Sequence, residues 1–475
     1  MSAWLQYLQA LVPHLMLALT TLWFAYLIGL SVWIVLQKRE PIATLSWIMS
    51  LALLPYIGLV IYYFFGPQKI HRQRSKRLRA KAGLVPENAG VVAEPAGSLQ
   101  RLAHGCGGYP PSHCTSATLL VDGAETYDAL VAAISGARDH VHLEYYIFEP
   151  DTTGARVRDA LVARAREGVR VRLLLDALGS GNMTRDFLAP LLAAGGQVAY
   201  FHPFHPLRMA RLLRPRTNLR SHRKIVIVDG AIGFTGGINI TDDENPAVRR
   251  NAYHDLHVRM EGEVVRWLQL AFVEDWAYAG GALPNQPSLW PEMEPGSIRA
   301  QVLPAGPDSS WEAIHRLMIA AIYQARERVW LATPYFVPGE AARMALTSAA
   351  QRGLDVRVLV PQMSDSKLVT AAARSYYGEL LRSGARVYEF PRMLHAKALL
   401  LDDATCVLGS SNFDYRSFRL NFELCVLFDD AGLASRLASV LENDLAGSEE
   451  VRAQRGRPFR SRLAEAGARL LSPLL

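Results

Sequence analysis

The N-terminal part of the chain is apolar along its whole length. Residues 1–37 and 41–68 contain no Asp, Glu, Lys or Arg. Each stretch can supply the roughly 20 apolar residues that a transmembrane helix needs. We therefore predict two membrane-spanning helices, at about 11–36 and 43–65, joined by a short turn at 38–41. A cleaved signal peptide is the alternative, but it fits poorly because no basic segment precedes the first stretch and a second stretch follows.

From about residue 115 onward, short apolar runs typical of buried strands alternate with stretches of helical periodicity. Apolar strands covered by helices on both faces indicate a buried sheet, so we predict an α/β fold. The same order of elements occurs twice, on either side of a Pro-rich stretch at 283–295. In the first half the predicted helices are 124–137, 155–167 and 187–194, and the predicted strands are 141–148, 169–175, 197–201 and 231–235.

One short stretch is repeated in the two halves, at 222–229 and 395–402. Each copy reads His-x-Lys, four apolar residues and Asp, and an Asn follows each Asp at the same distance. The four apolar residues predict a short buried strand. The matched spacing of four polar residues argues against two unrelated surface dipeptides. The repeated residues are His222, Lys224, Asp229 and Asn239 in the first copy and His395, Lys397, Asp402 and Asn412 in the second.

The residue types in this repeat suit phosphoryl chemistry. Side chains alternate along a strand, so the His and Lys of each copy are expected on one face. A Lys ammonium is a point charge suited to phosphate oxygens, and an Asn amide adds neutral donors. If the two halves meet face to face, two imidazoles flank one phosphoryl group. One imidazole can then attack phosphorus while the other protonates the leaving alkoxide.

The duplicated stretch resembles the HKD motif of the phospholipase D superfamily. The resemblance extends over residues 111–475, and further stretches make the chain similar to the bacterial cardiolipin synthases. It implies two pseudo-symmetric phospholipase D-like lobes, each a mostly buried β-sheet flanked by helices, preceded by the N-terminal two-helix transmembrane hairpin. The further stretches are 145–148, 176–180, 234–237, 333–338 and 412–417.

The resemblance implies a phosphatidyltransferase that joins two phosphatidylglycerol molecules into cardiolipin and glycerol through a covalent phosphohistidine. In similar enzymes the first motif more often supplies the nucleophile, so His222 is expected to attack phosphorus and His395 to act as acid and base. Two carboxylates, Asp255 and Glu423, are expected to orient the histidines. They lie in strand-like stretches, 33 and 28 residues after the histidine of the same half.

The remaining motif residues are expected to support this reaction. The lysines and asparagines of both copies would hold the phosphate oxygens and stabilise the charge added at phosphorus. The resemblance counts Asp229 and Asp402 within the catalytic motif. Because they lie beyond the strand, we interpret them as structural residues that cap the following turn. We predict no cofactor and no metal, since fixed cations take the place of a metal ion.

Composition narrows the range of partners. The chain has 475 residues, a formal net charge of +7 and a pI near 9.2, which favours acidic partners. Nucleic acid and anionic lipid both fit this charge, but two membrane spans argue against nucleic acid. We therefore predict phosphatidylglycerol and anionic membrane lipids as partners, and we predict no particular oligomeric state. Phospholipase D, phosphatidylserine synthase and a membrane-bound nuclease are the alternative functions.

Basic residues predict how the chain is oriented in the membrane. Seven Lys or Arg lie in 69–81, against two in the turn between the predicted helices. The positive-inside rule then places this segment and everything after it in the cytoplasm. The predicted location is the bacterial cytoplasmic (inner) membrane, with a multi-pass anchor. The predicted division is a hairpin at 1–68, a basic segment and connector at 69–114, and lobes at 115–288 and 289–475.

The two halves differ next to the first motif. Phe201 precedes His222 by 21 positions, whereas Phe390 precedes His395 by 5. The extra residues of the first half mix five arginines with apolar residues at helical spacing, which favours a surface in contact with anionic lipid. An ordinary exposed basic loop is the alternative. The arginines are Arg208, Arg211, Arg214, Arg216 and Arg220.

Overall fold

A computed structural model describes most of the chain. The two-sheet part and the N-terminal helices form separate units. The described residues are 2–36, 41–54, 97–203, 219–294, 296–309, 311–452 and 458–472. The predicted basic segment at 69–81 lies outside these residues, and so does the part of the predicted lipid-binding insert at 204–218.

The N-terminal unit contains helix α1, Ser2–Leu36, and helix α2, Pro41–Leu53. Within the described residues, Val12–Leu36 forms the one helix that is long and apolar enough to cross a membrane. Helix α2 has 13 residues, fewer than the roughly 20 that a span needs. The first predicted span is therefore confirmed as a helix of sufficient length. The remainder of the second predicted span, 55–65, lies outside the described residues.

The first lobe contains a mixed β-sheet flanked by helices. Helix α3 (Ser98–Gly105) and strand β1 (Ser112–Cys114) precede it. Its strands are β2 (Ser116–Val121), β3 (His140–Tyr145), β4 (Arg170–Asp176), β5 (Gln197–Phe201), β6 (Ile225–Val228), β7 (Ile232–Gly236) and β8 (Leu256–Glu261). Its helices are α4 (Asp122–Ser135), α5 (Thr152–Arg166), α6 (Arg185–Ala193) and α7 (Val264–Tyr278). Every helix and strand predicted for this half is present, with ends shifted by a few residues.

The second lobe repeats this arrangement. Its strands are β9 (Ile298–Ala305), β10 (Arg328–Ala332), β11 (Phe336–Val337), β12 (Asp355–Pro361), β13 (Arg386–Phe390), β14 (Ala398–Leu401), β15 (Thr405–Gly409), β16 (Phe413–Asp414), β17 (Glu423–Asp429) and β18 (Glu449–Glu450). Its helices are α8 (Ala313–Gln324), α9 (Glu340–Gln351), α10 (Lys367–Ser383), α11 (Tyr415–Arg419), α12 (Ala431–Ala446) and α13 (Phe459–Leu470).

The two large sheets share one strand order. Among the described residues, the first sheet runs β2-β8-β7-β6-β3-β4-β5 and the second runs β1-β9-β17-β15-β14-β10-β12-β13-β18. The order of the first sheet recurs in the second from β9 to β13. The motif strands β6 and β14 occupy the same place, each antiparallel to both of its neighbours. The two pseudo-symmetric α/β lobes predicted from the repeat are therefore confirmed.

A shared hydrophobic core joins the lobes. Phe272 and Trp276 of α7 belong to the same cluster of buried side chains as Leu437 of α12. The cluster also contains Ile227 of β6 and Leu400 of β14, so both motif strands rest on it. Burying one such side chain is worth about 1.5–3 kcal/mol. The two motifs are therefore fixed relative to each other by apolar packing.

Strand β1 belongs to the sheet of the second lobe, although it precedes the first lobe in the chain. It lies inside the predicted connector at 69–114, yet it pairs antiparallel with β9 in the sheet of the second lobe. The division of the chain at residues 69, 115 and 289 stays a prediction.

Candidate active site

Both motif histidines lie on the wall of one cavity of about 780 Å³. His222 is 8% exposed and His395 is 7% exposed, so each imidazole is buried in protein except where it borders the cavity. Asn239 and Asn412 line the same cavity. The structure thus gathers the His and Asn residues of both halves around one space large enough for a phospholipid headgroup.

The histidines lie ahead of the motif strands. Strand β6 begins at Ile225 and β14 at Ala398, so the predicted placement of the His and Lys within these strands is wrong. The reason is that each His-bearing segment pairs with the other lobe. The backbone N–H of His222 donates to the carbonyl of Phe422 at 2.8 Å. The backbone N–H of His395 donates to the carbonyl of His254 at 2.6 Å.

The orienting carboxylates are exchanged between the lobes. Nδ1 of His222 lies 3.0 Å from Oε2 of Glu423, and Nδ1 of His395 lies 2.6 Å from Oδ2 of Asp255. The sequence alone leaves open which histidine each carboxylate serves, and in the structure each contacts the histidine of the opposite lobe. The exchange follows from the two backbone bridges, because Glu423 and Asp255 are the residues next to Phe422 and His254 in the chain.

These contacts select one nitrogen on each ring for chemistry. An imidazole whose Nδ1–H donates to a carboxylate carries its free electron pair on Nε2. Burial lowers the pKa of His222, against the attraction of Glu423, and burial lowers the pKa of His395 well below its ordinary value. Without a bound anion both rings are therefore neutral, and Nε2 is the nitrogen available to a substrate.

The two carboxylates differ in how readily they bind a proton. Burial alone would raise the pKa of Glu423, but the attraction of His222 and Lys224 holds that pKa below its ordinary value. The Ser410 hydroxyl also donates to Glu423. Burial raises the pKa of Asp255 to about 6, with Lys397 opposing the rise. Glu423 is therefore firmly ionised at neutral pH, whereas Asp255 titrates not far below it.

The two lysines are buried beside the histidines. Nζ of Lys224 donates to the backbone carbonyl of His222 at 2.9 Å, and Nζ of Lys397 donates to that of His395. Burial, followed by repulsion from Lys397, lowers the pKa of Lys224 to about 7. The ammonium groups of the two halves therefore repel each other. A phosphate anion between the lobes would offset this repulsion.

The two asparagines are not equivalent. Nδ2 of Asn239 donates to Oε1 of Glu244 at 2.7 Å, so its amide is already engaged. Oδ1 of Asn412 is buried and has no hydrogen-bond partner among the described residues. This oxygen is an acceptor, so it can take a hydrogen bond from a ligand hydroxyl that enters the cavity. The second motif thus leaves its amide oxygen open to a ligand.

Asp229 and Asp402 are structural, but they do not cap the turn that follows them. The carboxylate of Asp229 accepts the backbone N–H groups of residues 138–140 at 2.8–2.9 Å. That of Asp402 accepts the N–H groups of residues 326–328 at 2.8–3.2 Å. The two segments lead into β3 and β10, the neighbours of the motif strands. Each Asp therefore ties the far end of its motif strand to the adjacent strand, remote from the histidine.

Arg220 was predicted to be part of a basic surface, and that is wrong. Its side chain is 1% exposed, with NH1 3.5 Å from Oδ1 of Asp176. The carboxylate of Asp176 also accepts the backbone N–H of Ser221 at 3.1 Å. A buried guanidinium needs such a partner. The pair fixes the residue immediately ahead of His222.

Several residues of the site were missed by the sequence analysis. Glu244 has an oxygen 3.8 Å from Nδ1 of His395, and its only sequence signal is its place five residues after Asn239. Tyr146 packs its ring edgewise against the ring of His222, 5.0 Å between centroids. It belongs to a stretch that carried the family resemblance, although no role was assigned to it.

Among the described residues, Glu244, Asp255 and His395 are close enough to hold a metal ion. Their spacing is already explained by the hydrogen bond between Nδ1 of His395 and Asp255. A cation there would take that nitrogen from its carboxylate. The absence of a metal stays a prediction.

A third histidine, His254, links the two lobes next to the site residue Asp255. Nδ1 of His254 lies 2.7 Å from Asp122, and Nε2 lies 2.9 Å from Asp444 of the second lobe. Burial would lower the pKa of His254, but the hydrogen bonds to both carboxylates raise it to about 9. The charged side chain of Arg392, 3.6 Å from Asp122, also contacts this cluster. The imidazolium therefore bridges two carboxylates next to Asp255.

This bridge predicts that the protein loses stability in mild base. The pKa of His254 is raised in the folded state, so its contribution is complete below about pH 6.5 and is lost as the pH rises through about 9. The loss should amount to about 3 kcal/mol. Thermal unfolding of the detergent-solubilised protein between pH 6 and 9.5 measures it. His254→Gln should abolish most of this dependence, whereas His104→Gln, at an exposed histidine, should keep it; an unchanged slope in His254→Gln would refute the assignment.

Comparison with known proteins agrees with this geometry. The family described as "Cardiolipin synthase, PLD-like domain" matches residues 130–276 and 318–445. A second family, described as "Phospholipase D-nuclease N-terminal", matches residues 24–67. The two segments of the first match fall on the two lobes, and the second match covers most of the apolar N-terminal stretch.

Whole-chain relatives extend the match. A cardiolipin synthase of Alkalihalophilus pseudofirmus is 37% identical over 472 residues, covering 94% of this chain and 92% of the relative. Cardiolipin synthase 1 of Bacillus anthracis is 35% identical over 478 residues, covering 96% and 93%. The crystal structure of phosphatidylserine synthase from Haemophilus influenzae has a TM-score of 0.61 at 13% identity, covering 80% of this chain and 100% of that chain, and supports the fold alone.

Near-complete coverage at this identity shows the family, and the two lobes with their paired motifs agree with it. The chain therefore belongs to the cardiolipin synthases of the phospholipase D superfamily, which are phosphatidyltransferases, and it is membrane-associated through its N-terminal apolar helix.

Proposed function

We propose that the enzyme transfers a phosphatidyl group from one phosphatidylglycerol to a second, giving cardiolipin and glycerol. One observation carries the proposal. Two imidazoles from different lobes border a single cavity, and each is held through Nδ1 by a buried carboxylate of the opposite lobe. This is the arrangement that a nucleophile and an acid-base partner need when they act on the same phosphorus.

In the first step, Nε2 of His222 attacks phosphorus of the bound phosphatidylglycerol. When the anionic substrate is bound, His395 carries on Nε2 a proton taken from solvent, while its Nδ1–H donates to Asp255. The bond from phosphorus to the glycerol oxygen breaks, and that oxygen takes this proton from Nε2 of His395. The products are glycerol and a phosphatidyl group bonded to His222. We assign the nucleophile to His222 because similar enzymes more often use the first motif. The firmly ionised Glu423 supports this choice, since it stabilises positive charge on His222 as the N–P bond forms.

In the second step, the neutral His395 removes a proton from a terminal hydroxyl of a second phosphatidylglycerol. The hydroxyl oxygen attacks phosphorus, the N–P bond breaks, and its electron pair returns to His222. Cardiolipin leaves and His395 is protonated again for the next cycle. Asp255 and Glu244 stabilise the imidazolium form of His395 after the second step, until it donates its proton in the next cycle.

Positive charge and amide donors stabilise the crowded phosphorus in both steps. Lys224 and Lys397 place two ammonium groups beside the histidines, and Asn412 lines the cavity with an amide whose N–H groups can donate. Asn239 lines the same cavity, and its amide donates a hydrogen bond to Glu244. Fixed positive charge of this kind favours the transition state because the charge on the phosphoryl oxygens is greatest there.

We further propose the multi-pass topology derived from the sequence, with two spans and the catalytic lobes facing the cytoplasm. The seven basic residues of 69–81 support this orientation. The division into hairpin, connector and two lobes is part of the same proposal.

The proposed reaction is tested by incubating the purified protein with phosphatidylglycerol in detergent and separating the lipids by chromatography. Cardiolipin and glycerol should appear in equal amounts. Phosphatidic acid as the main lipid product would make the protein a phospholipase D instead. Nicking of plasmid DNA by the wild type, but not by His222→Ala, would favour the nuclease.

A further inference from the structure

Exposed apolar side chains surround the mouth of the active-site cavity. Such residues are ordinary when scattered, but here they lie on the loops that form the cavity wall. Each lies close in the chain to residues that line the cavity. Leu178 lies four residues before Asn182, Val248 is next to Arg249, and Leu368 lies between Ser366 and Val369. The exposed fractions are 51% for Leu178, 44% for Val248, 52% for Met363 and 41% for Leu368.

Two of these side chains occupy equivalent places in the two lobes. Leu178 follows Gly168 by ten residues, and Met363 follows Gly353 by ten residues. Their loops leave the carboxyl ends of β4 and β12, which hold the same position in the two sheets. Both lobes therefore present an apolar residue at the same edge, where the cavity opens.

The first of these loops is held rigidly against the cavity. The Ser180 hydroxyl donates to the carbonyl of Tyr146 at 3.0 Å. A Cβ on Gly179 would come within 2.3 Å of the same carbonyl, so only glycine allows this approach. Leu178 is thus an exposed side chain on a rigid loop, which suits insertion of this side chain into a bilayer.

Two exposed cations flank the apolar side chains. Lys367 and Arg250 lie beside Leu368 and Val248, and neither makes an ion pair with any residue that the structure describes. Among the neighbouring carboxylates, Asp243 is paired with the cation Arg249. Glu149 and Asp365 are hydrogen-bonded to neutral side chains and keep their charge.

We infer that the mouth of the cavity docks on the bilayer, with Leu178, Val248, Met363 and Leu368 inserted at the boundary between headgroups and acyl chains. The occupant of this surface is a bilayer that contains anionic phospholipid. Apolar side chains flanked by unpaired cations suit that boundary. The inference rests on the proposed function, in which the substrate is a bilayer lipid. Its headgroup then enters the cavity without its acyl chains crossing water.

Site-specific fluorophores test the docking in the full-length protein. All four native cysteines are buried, so single introduced cysteines can be labelled selectively. We would label Leu178→Cys and Leu368→Cys with an environment-sensitive probe. The protein would be reconstituted in nanodiscs of phosphatidylcholine and phosphatidylglycerol, with or without lipids carrying a quencher at the top of the acyl chain. Quenching should be at least about twofold stronger than at control positions.

Two matched controls lie at the opposite edge of the sheets, where the parallel strands begin. Leu192→Cys, 47% exposed at the end of α6, serves the first lobe, and Tyr323→Cys, 43% exposed at the end of α8, serves the second. Equal quenching at mouth and control positions would overturn the inference. A second result would also overturn the inference. If the labels at the mouth became more shielded as the protein concentration rose in lipid-free detergent, a second copy of the chain would be covering this surface. The fluorescence measurement does not depend on catalysis. Cardiolipin formation without quenching at the mouth positions would therefore refute the docking and leave the proposed reaction intact.

Discussion

Replacing His222 with alanine is expected to lower the rate of cardiolipin formation by roughly 10⁴- to 10⁶-fold, because it removes the atom that bonds to phosphorus. Replacing His395 with alanine should lower it by roughly 10²- to 10⁴-fold, the range typical of a lost general acid or base. Initial rates with phosphatidylglycerol in mixed micelles measure both losses.

The control for this pair is His104→Ala, which changes an exposed histidine on α3 and should keep the wild-type rate. Unfolding temperatures of the three variants separate a catalytic loss from a loss of folded protein. If His222→Ala kept more than about a hundredth of the wild-type rate, another group would have to be the nucleophile.

The exchanged carboxylates lead to the second large effect. Glu423→Gln and Asp255→Asn are each expected to slow cardiolipin formation by roughly 10³- to 10⁴-fold, because an amide no longer fixes the productive tautomer of the histidine. Glu423→Gln should resemble His222→Ala in its detailed behaviour, and Asp255→Asn should resemble His395→Ala. Pairing within each lobe would give the opposite resemblance.

A substrate with a good leaving group separates these two outcomes. The p-nitrophenyl ester of phosphatidic acid releases p-nitrophenolate, which needs no proton from His395. The first-turnover burst of p-nitrophenol should therefore be restored in His395→Ala and in Asp255→Asn. It should stay absent in His222→Ala and in Glu423→Gln. A burst in Glu423→Gln together with none in Asp255→Asn would contradict the exchanged pairing.

Much of the fold could be read from the sequence because its signals are local. Apolar runs such as Ile225–Val228 predict a strand wherever they occur, and the repeat around them predicts two similar lobes. The His and Lys residues ahead of that run were nevertheless placed in the strand. Their backbone pairs with the other lobe, and such a long-range contact leaves no periodic pattern in the chain.

The pairing of carboxylates with histidines could not be predicted for the same reason. The place of Asp255 and Glu423 after each motif indicates orienting residues, but spacing along the chain does not say which histidine each one serves. Only the bridges at Phe422 and His254 exchange them. The wrong assignment of Arg220 to a basic surface has a similar cause. Its partner Asp176 lies 44 residues earlier in the chain, so the local composition does not reveal that the two side chains pair in the interior.

From the exchange we expect that neither lobe is active alone. Each histidine depends on the opposite lobe for its backbone position and for its carboxylate. The hydrophobic core between the sheets and the His254 bridge keep these partners in register.

The central claim is that both histidines act on one phosphorus and that His222 forms the covalent bond. The direct measurement is peptide mapping by mass spectrometry after the p-nitrophenyl substrate has been mixed with enzyme and quenched within the burst. We expect at most one phosphatidyl group per chain, carried by the peptide that contains His222, and the same adduct in His395→Ala. Two adducts per chain, one on each motif histidine, would mean that the motifs act on separate phosphates and would refute the shared site.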